Sequence, residues 1–64
     1  MNFFNINPGL ETDLRKAYTI TFENRIFFLS HNKTNNSIEW NMFIEDDELK
    51  KEVEKILINY LTNQ

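Results

Sequence analysis

The sequence contains no cysteine, which excludes a disulfide framework and every thiolate metal site. A single histidine also excludes a structural zinc site of the Cys/His kind. A chain of 64 residues buries only about 60% of the surface that its unfolded form exposes, so its stability depends on close packing or on oligomerisation. We expect one domain, residues 1–64, without a metal or another cofactor.

Glycine and proline are almost as scarce, since each occurs once. Without more glycine the chain can form neither a phosphate-binding loop nor a calcium loop of the EF-hand type. The Pro8-Gly9 pair stands in the stretch Asn7–Leu10, which is typical of a tight turn. A second interpretation makes Asn7 an N-cap and residues 8–16 a short helix.

Positive charge is also in short supply. Ten acidic residues outnumber seven basic ones, and the net charge is −3. Binding to nucleic acid or to an anionic membrane surface relies on Lys and Arg, so both partners are disfavoured. The basic residues Arg15, Lys16, Arg25 and Lys33 are scattered, without the interleaved aromatic residues of an RNA-binding surface.

Long hydrophobic runs are absent too. The longest uninterrupted apolar run is Ile26–Leu29, far short of the roughly 20 residues that a membrane-spanning helix needs. Met1–Pro8 has no basic residue and a broken apolar pattern, unlike a secretory signal peptide. We therefore expect a cytoplasmic protein without a membrane partner, which agrees with the missing cysteines.

The chain does contain a segment in which apolar and polar residues alternate. Tyr18, Ile20 and Phe22 alternate with polar residues, which predicts a strand from about Ala17 with one buried face. A tight turn at residues 23–25 follows, because Asn tolerates a left-handed backbone. The apolar run 26–29 then predicts a second strand, extended to residue 30 or 31 and antiparallel to the first.

A polar loop at residues 32–37 leads to a third predicted strand, residues 38–44. On one face of this strand lie Ile38, Trp40, Met42 and Ile44. On the other face lie Glu39, Asn41 and Phe43.

The last predicted element is a helix to about Thr62. Acidic residues at 45–48 suit a helix N-terminus, and Asp46 or Asp47 is the expected N-cap. The apolar residues of this segment recur at the three- and four-residue spacing of an amphipathic helix: Leu49, Val53, Ile56, Leu57, Tyr60 and Leu61. A further apolar segment, Met1–Ile6, can form an edge strand or fold under the core. The predicted fold is α+β: a small antiparallel β-meander of three or four strands with one C-terminal amphipathic helix packed on one face.

One helix can cover only one face of such a sheet, since it is about 10 Å wide and strands lie about 4.8 Å apart. The other face holds Phe43 and one half of the central run, either Ile26 and Phe28 or Phe27 and Leu29. Two alternatives remain for what covers this second face. The first is the N-terminal segment, through Phe3, Phe4 and Ile6 or through Leu10 and Leu14. The second is another protein, which would contact an exposed apolar patch.

Ser30 and His31 are the only nucleophile and base that are close in sequence. Neighbours in a strand point to opposite faces, so the two side chains cannot form the hydrogen-bonded pair that nucleophilic catalysis needs. We expect a protein that is not an enzyme.

The sequence therefore predicts a small non-catalytic protein that acts by protein–protein contact, with itself as a homodimer or with a host protein. Its composition suits a modulator or inhibitor encoded by a phage or a mobile element. The candidate contact residues are Phe27, Leu29, Phe43, Phe3 and Phe4. One alternative is an acidic mimic that occupies a DNA- or RNA-binding protein, through Glu45, Asp46, Asp47, Glu48, Glu52 and Glu54. Another alternative is a structural subunit that assembles with itself.

Overall fold

The structure, a computed structural model, describes residues 3–63. Its elements in chain order are β1 (Phe4–Glu11), β2 (Arg15–Phe22), β3 (Arg25–Asn32), β4 (Ile38–Trp40) and α1 (Asp47–Thr62). The strands form one antiparallel sheet in the order β1-β2-β3-β4. The predicted α+β fold is confirmed.

The hairpin of β2 and β3 determines which residues lie under the helix. Glu23 and Asn24 form its turn with φ values of 53° and 63°, the left-handed backbone that a two-residue hairpin turn of type I′ requires. The turn pairs Phe22 with Arg25 and, further along, Ile20 with Phe27. Since paired residues share a face, Phe27 lies on the same side as the alternating apolar residues of β2.

The core fills the space between that face and α1. Tyr18 and Tyr60 meet edge to face across it, with ring centroids 5.9 Å apart, a favourable arrangement for aromatic pairs. Residues of the helix, of β2 and β3, and of the segment before the helix are buried together: Tyr18, Ile20, Phe22, Phe27, Leu29, Ile44, Val53 and Leu57.

The helix begins where the sequence predicts. The Asp46 carboxylate accepts hydrogen bonds from the backbone N–H groups of Glu48 and Leu49, at 3.0 and 3.2 Å, so Asp46 is the N-cap. Trp40 ties β4 to the helix, because its Nε1–H donates to Glu54 at 2.5 Å. Within residues 3–63, no helix is long and apolar enough to cross a membrane.

The first strand corrects the prediction for residues 7–16. Neither a turn at Asn7–Leu10 nor a short helix forms, because the chain runs on as a strand through Pro8 and Gly9. Phe4, Ile6 and Pro8 lie opposite residues of β2, and the register shifts only between Pro8 and Glu11. Of the predicted apolar segment Met1–Ile6, residues 1 and 2 lie outside the described residues, Phe3 precedes the strand, and residues 4–6 form the start of an edge strand.

The fourth strand is shorter than predicted, since it ends at Trp40. Beyond it, the Asn41 N–H still donates to the Phe28 carbonyl at 3.0 Å. The next bond involves a side chain, because the Phe28 N–H donates to the Met42 sulfur at 3.3 Å. The chain then leaves the sheet and buries Ile44 against the core.

Candidate binding surfaces

The sheet face opposite the helix is the first candidate surface. Ile26 and Phe28 lie there, 55% and 48% exposed, whereas Phe27 and Leu29 are fully buried beneath the helix. The prediction that Phe27 and Leu29 belong to a partner-binding surface is therefore wrong. The physical reason is the two-residue turn, which places these two side chains on the core side of the sheet.

Several polar side chains of the uncovered face bond to one another. The Arg15 guanidinium donates to the Glu39 carboxylate at 2.7 Å, and the Asn32 amide donates to the same carboxylate at 3.2 Å. These bonds hold the pKa of Glu39 below its ordinary value. The Asn41 amide donates to the Ser30 hydroxyl at 2.8 Å. Bonded polar side chains therefore occupy the end of this face that lies away from the β2–β3 turn, whereas Ile26 and Phe28 are exposed nearer to that turn.

The N-terminal segment does not cover that face. It lies beside β2 as an edge strand, so its side chains stand on the two faces of the sheet and cap neither. Phe3, Leu10 and Leu14 are exposed. The predicted cover by Phe3, Phe4 and Ile6, or by Leu10 and Leu14, is wrong.

The direction of the backbone N–H and carbonyl groups of β2 determines which residues of β1 form hydrogen bonds with it. A two-residue turn makes Phe22 and Arg25 the closing hydrogen-bonded pair of the hairpin. Because bonded and non-bonded pairs alternate along an antiparallel ladder, the backbone groups of Ile20 also point to β3. Those of Thr19 and Thr21 must therefore point to β1.

Within residues 3–63, the outer edge of β1 consequently carries backbone groups without a partner. Asn5 and Asn7 lie opposite the two threonines and bond inward. The alternating residues Phe4, Ile6 and Pro8 direct their backbone groups outward. Pro8 has no N–H, so its place in the strand removes no hydrogen bond from the sheet. The edge offers the N–H groups of Phe4 and Ile6, with the carbonyl groups beside them, to another strand.

An apolar groove runs next to this edge, between β1 and the C-terminal half of α1. Its volume is about 330 Å³, and its lining is mostly apolar. Phe4 forms the strand side, and Ile56 and Tyr60 form the helix side, with Asn59 and Asn63 at the rim. The predicted contact residues Phe3 and Phe4 are both exposed at this end of the sheet. Phe43, by contrast, lies in the segment between β4 and α1 and is 84% exposed.

The acidic residues are spread along the helix and are partly engaged in bonding. Asp46 caps the helix, and Glu54 accepts from Trp40. Glu48 and Glu52 share a shallow surface depression with Lys51 and Lys55, an ordinary mixed-charge helix face. Among residues 3–63, no three acidic or histidine side chains cluster closely enough to hold a metal ion.

Ser30 and His31 point to opposite faces of β3, because consecutive strand residues do so. The Ser30 hydroxyl is buried against the Asn41 amide. The His31 imidazole contacts the Asn36 side chain at 3.1 Å. The two groups have separate partners and form no dyad.

Sequence reasoning missed a cavity of about 530 Å³ beyond the C-terminal end of the helix. Lys16, His31 and Lys33 line it, together with Glu11, although the lysines look scattered in the sequence. The signal was available in the register, since a two-residue turn at residues 23 and 24 places Lys16 opposite His31.

No protein-family model, no curated protein and no solved structure matches the chain.

Proposed function

We propose that this is a non-catalytic protein that binds another polypeptide by strand addition along the outer edge of β1. The observation that carries the proposal is an eight-residue edge strand with outward N–H and carbonyl groups beside an apolar groove. In strand addition, the main-chain hydrogen bonds supply affinity, and pockets for alternate side chains supply specificity.

The two edges of the sheet differ in how they are protected. Proteins usually blunt an exposed edge with a very short strand, with charged side chains or with proline. The β4 edge is a strand of three residues. The β1 edge is longer, and residues 4–10 carry no charge. Its protective features, Pro8, the register shift after it and the charged Glu11, lie in the second half of the strand. They leave the outward N–H groups of Phe4 and Ile6 accessible.

The groove adds a requirement for an apolar side chain. A strand that pairs with β1 places every second side chain on the helix side of the sheet, where Phe4 and Tyr60 line the groove. A volume of about 330 Å³ accommodates one large aliphatic or aromatic group. The partner segment we expect is extended, with an apolar residue at every second position.

The biological role that suits this mode of binding is modulation or inhibition of a host protein in the cytoplasm, by occupying one of its extended segments. Origin from a phage or a mobile element is a proposal from composition, since ten asparagines beside many Ile and Lys are typical of an AT-rich genome. A second copy of the chain is the other occupant that an edge strand admits, and it would give a homodimer.

A substitution at Ile6 tests strand addition directly. Ile6→Pro removes an outward N–H without breaking a bond to β2, while Ile6→Ala removes a similar part of the side chain and keeps the N–H. Peptides of ten residues selected from a random display library against the wild type serve as probes. We expect Ile6→Pro to weaken their binding about fivefold relative to Ile6→Ala, since each lost hydrogen bond to a preformed edge contributes roughly 1 kcal/mol.

Amide exchange and sedimentation complete the test. On peptide binding, the N–H groups of Phe4 and Ile6 should gain protection, and those of Asn5 and Asn7 should change little because they already bond to β2. Sedimentation of the wild type at micromolar concentration shows whether a second copy occupies the edge. Selected peptides that protect other residues, or that bind Ile6→Pro and Ile6→Ala equally, would contradict the proposal.

A further inference from the structure

The cavity beyond the helix C-terminus combines a cationic wall with an apolar floor. Its wall includes Lys16 and Lys33, and its floor includes Tyr18, Ile38 and Leu61. Ligand-binding cavities typically measure about 300–1,000 Å³ and combine apolar lining with a few convergent polar groups. At about 530 Å³, this cavity has both the size and the composition of such a site.

The two ammonium groups already hold a carboxylate. Lys33 Nζ donates to Glu11, and Lys16 Nζ lies 3.6 Å from the other Glu11 oxygen. The two ammonium groups lower the pKa of Glu11. The side chains of Lys16 and Lys33 are 28% and 33% exposed, so their charges are less screened than those of fully exposed lysines.

Of Lys16 and Lys33, one lysine is enough to hold the neighbouring loop. Lys33 holds the loop between β1 and β2 without help from Lys16, since its ammonium donates to the Thr12 carbonyl at 2.9 Å and its N–H to the Leu14 carbonyl at 2.8 Å. Lys16 instead lies over the Tyr18 ring, 5.6 Å from the centroid. With one carboxylate between two ammonium groups, the wall keeps a surplus positive charge, although the whole chain has a net charge of −3.

We propose that this cavity binds the carboxylate of an amphiphilic organic acid and that the Glu11 side chain is its built-in competitor. The ligand carboxylate takes the place of the Glu11 carboxylate between Lys16 and Lys33. The aromatic or branched aliphatic part of the ligand lies on Tyr18, Ile38 and Leu61. This site is separate from the β1 edge and does not depend on the proposed strand addition.

Two observations favour a carboxylate over other anions. The group that bridges the ammonium ions in the structure is itself a carboxylate, so the spacing of the lysines suits one. The apolar floor also favours a ligand with an apolar body, which inorganic phosphate lacks. Because Glu11 is tethered at the site, a ligand must displace it, and removing its charge should strengthen binding.

Phenylacetate is the probe that tests the site, with binding followed by NMR shifts of backbone amides. We expect Glu11→Gln to bind phenylacetate about tenfold more tightly than the wild type, with shifts at Tyr18, His31 and Ile38. Adding Lys16→Met to Glu11→Gln should abolish that gain. Adding Lys55→Met instead should preserve it, because Lys55 lies on the exposed helix face. The neutral analogue 2-phenylethanol should not bind.

Further arms identify the source of the carboxylate. N-acetyl-alanyl-phenylalanine carries a peptide C-terminus, and its amide lacks the charge. Binding of phenylacetate alone indicates a free acid, and binding of the charged dipeptide but not its amide indicates a chain terminus. The proposal is overturned if neither ligand binds Glu11→Gln, if inorganic phosphate binds it as tightly, or if Lys16→Met leaves binding unchanged.

Discussion

At the scale of the residue, substitutions at two isoleucines near the β2–β3 turn test which face of the sheet the helix covers. Ile20 is fully buried, and Ile26 is exposed on the other face. We expect Ile20→Val to lower the free energy of unfolding by about 0.5–1.5 kcal/mol. Ile26→Val should change it by less than about 0.5 kcal/mol. Urea denaturation followed by the fluorescence of Trp40 measures both values, and equal or reversed losses would show that the face assignment is wrong.

The same hairpin shows why the sequence alone left this choice open. Four consecutive apolar residues, 26–29, have no alternation, so periodicity cannot assign them to a face. A turn of residues 23–25 and a turn of Glu23 and Asn24 differ by one residue, and a shift of one residue moves every side chain to the opposite face. The strongly alternating β2 was predictable from its own residues, whereas the burial of Phe27 depended on the turn length.

At the scale of the element, the residues of β1 favour a turn, but pairing with β2 makes the segment a strand. Asn7-Pro8-Gly9 has the composition of a turn, yet the segment runs as a strand beside β2. The sequence does not reveal that the missing N–H of Pro8 faces outward, because that depends on the register with a neighbouring strand. The reverse holds for the helix, whose start and apolar face follow from its own residues.

The N-cap is the element-scale feature that a substitution can isolate. Asp46→Ala removes the acceptor for the N–H groups of Glu48 and Leu49, so we expect a loss of about 1 kcal/mol in the free energy of unfolding. Asp46→Asn keeps an acceptor and should retain most of that stability. Glu45→Ala removes a neighbouring carboxylate that does not cap the helix and serves as the control. Losses of equal size in Asp46→Ala and Glu45→Ala would mean that general charge, and not the cap, is responsible.

At the scale of the whole molecule, the sequence correctly predicted that the helix covers one face of the sheet. It did not predict what, if anything, covers the other face. The α+β meander and the helix follow from periodicity. The sites follow from contacts between distant segments, which the periodicity of each single segment does not predict. Glu11 meets Lys33 across the sheet, and Arg15 meets Glu39 on the opposite face. Charged residues that are far apart in sequence thus bind the strands to one another at the end of the sheet beyond the helix.

These ion pairs predict how stability depends on pH. The pKa of Glu11 is lowered mainly by the hydrogen bond from Lys33, and that of Glu39 mainly by the hydrogen bond from Arg15. In the unfolded chain both groups return to an ordinary Glu pKa of about 4.3. Their contribution to stability is therefore complete above about pH 4.3 and is lost as the pH falls through the lower pKa values of the folded state.

The double variant Glu11→Gln, Glu39→Gln should accordingly be less stable than the wild type at neutral pH. Below the folded-state pKa values, the two proteins should converge, because protonated carboxyl groups no longer pair with the cations. Urea denaturation between about pH 2 and pH 7 measures the difference, and Glu45→Gln, Glu52→Gln controls for the change in net charge. A difference that persists undiminished at the lowest pH would show that the ion pairs are not its source, since carboxylates that have taken up protons cannot sustain it.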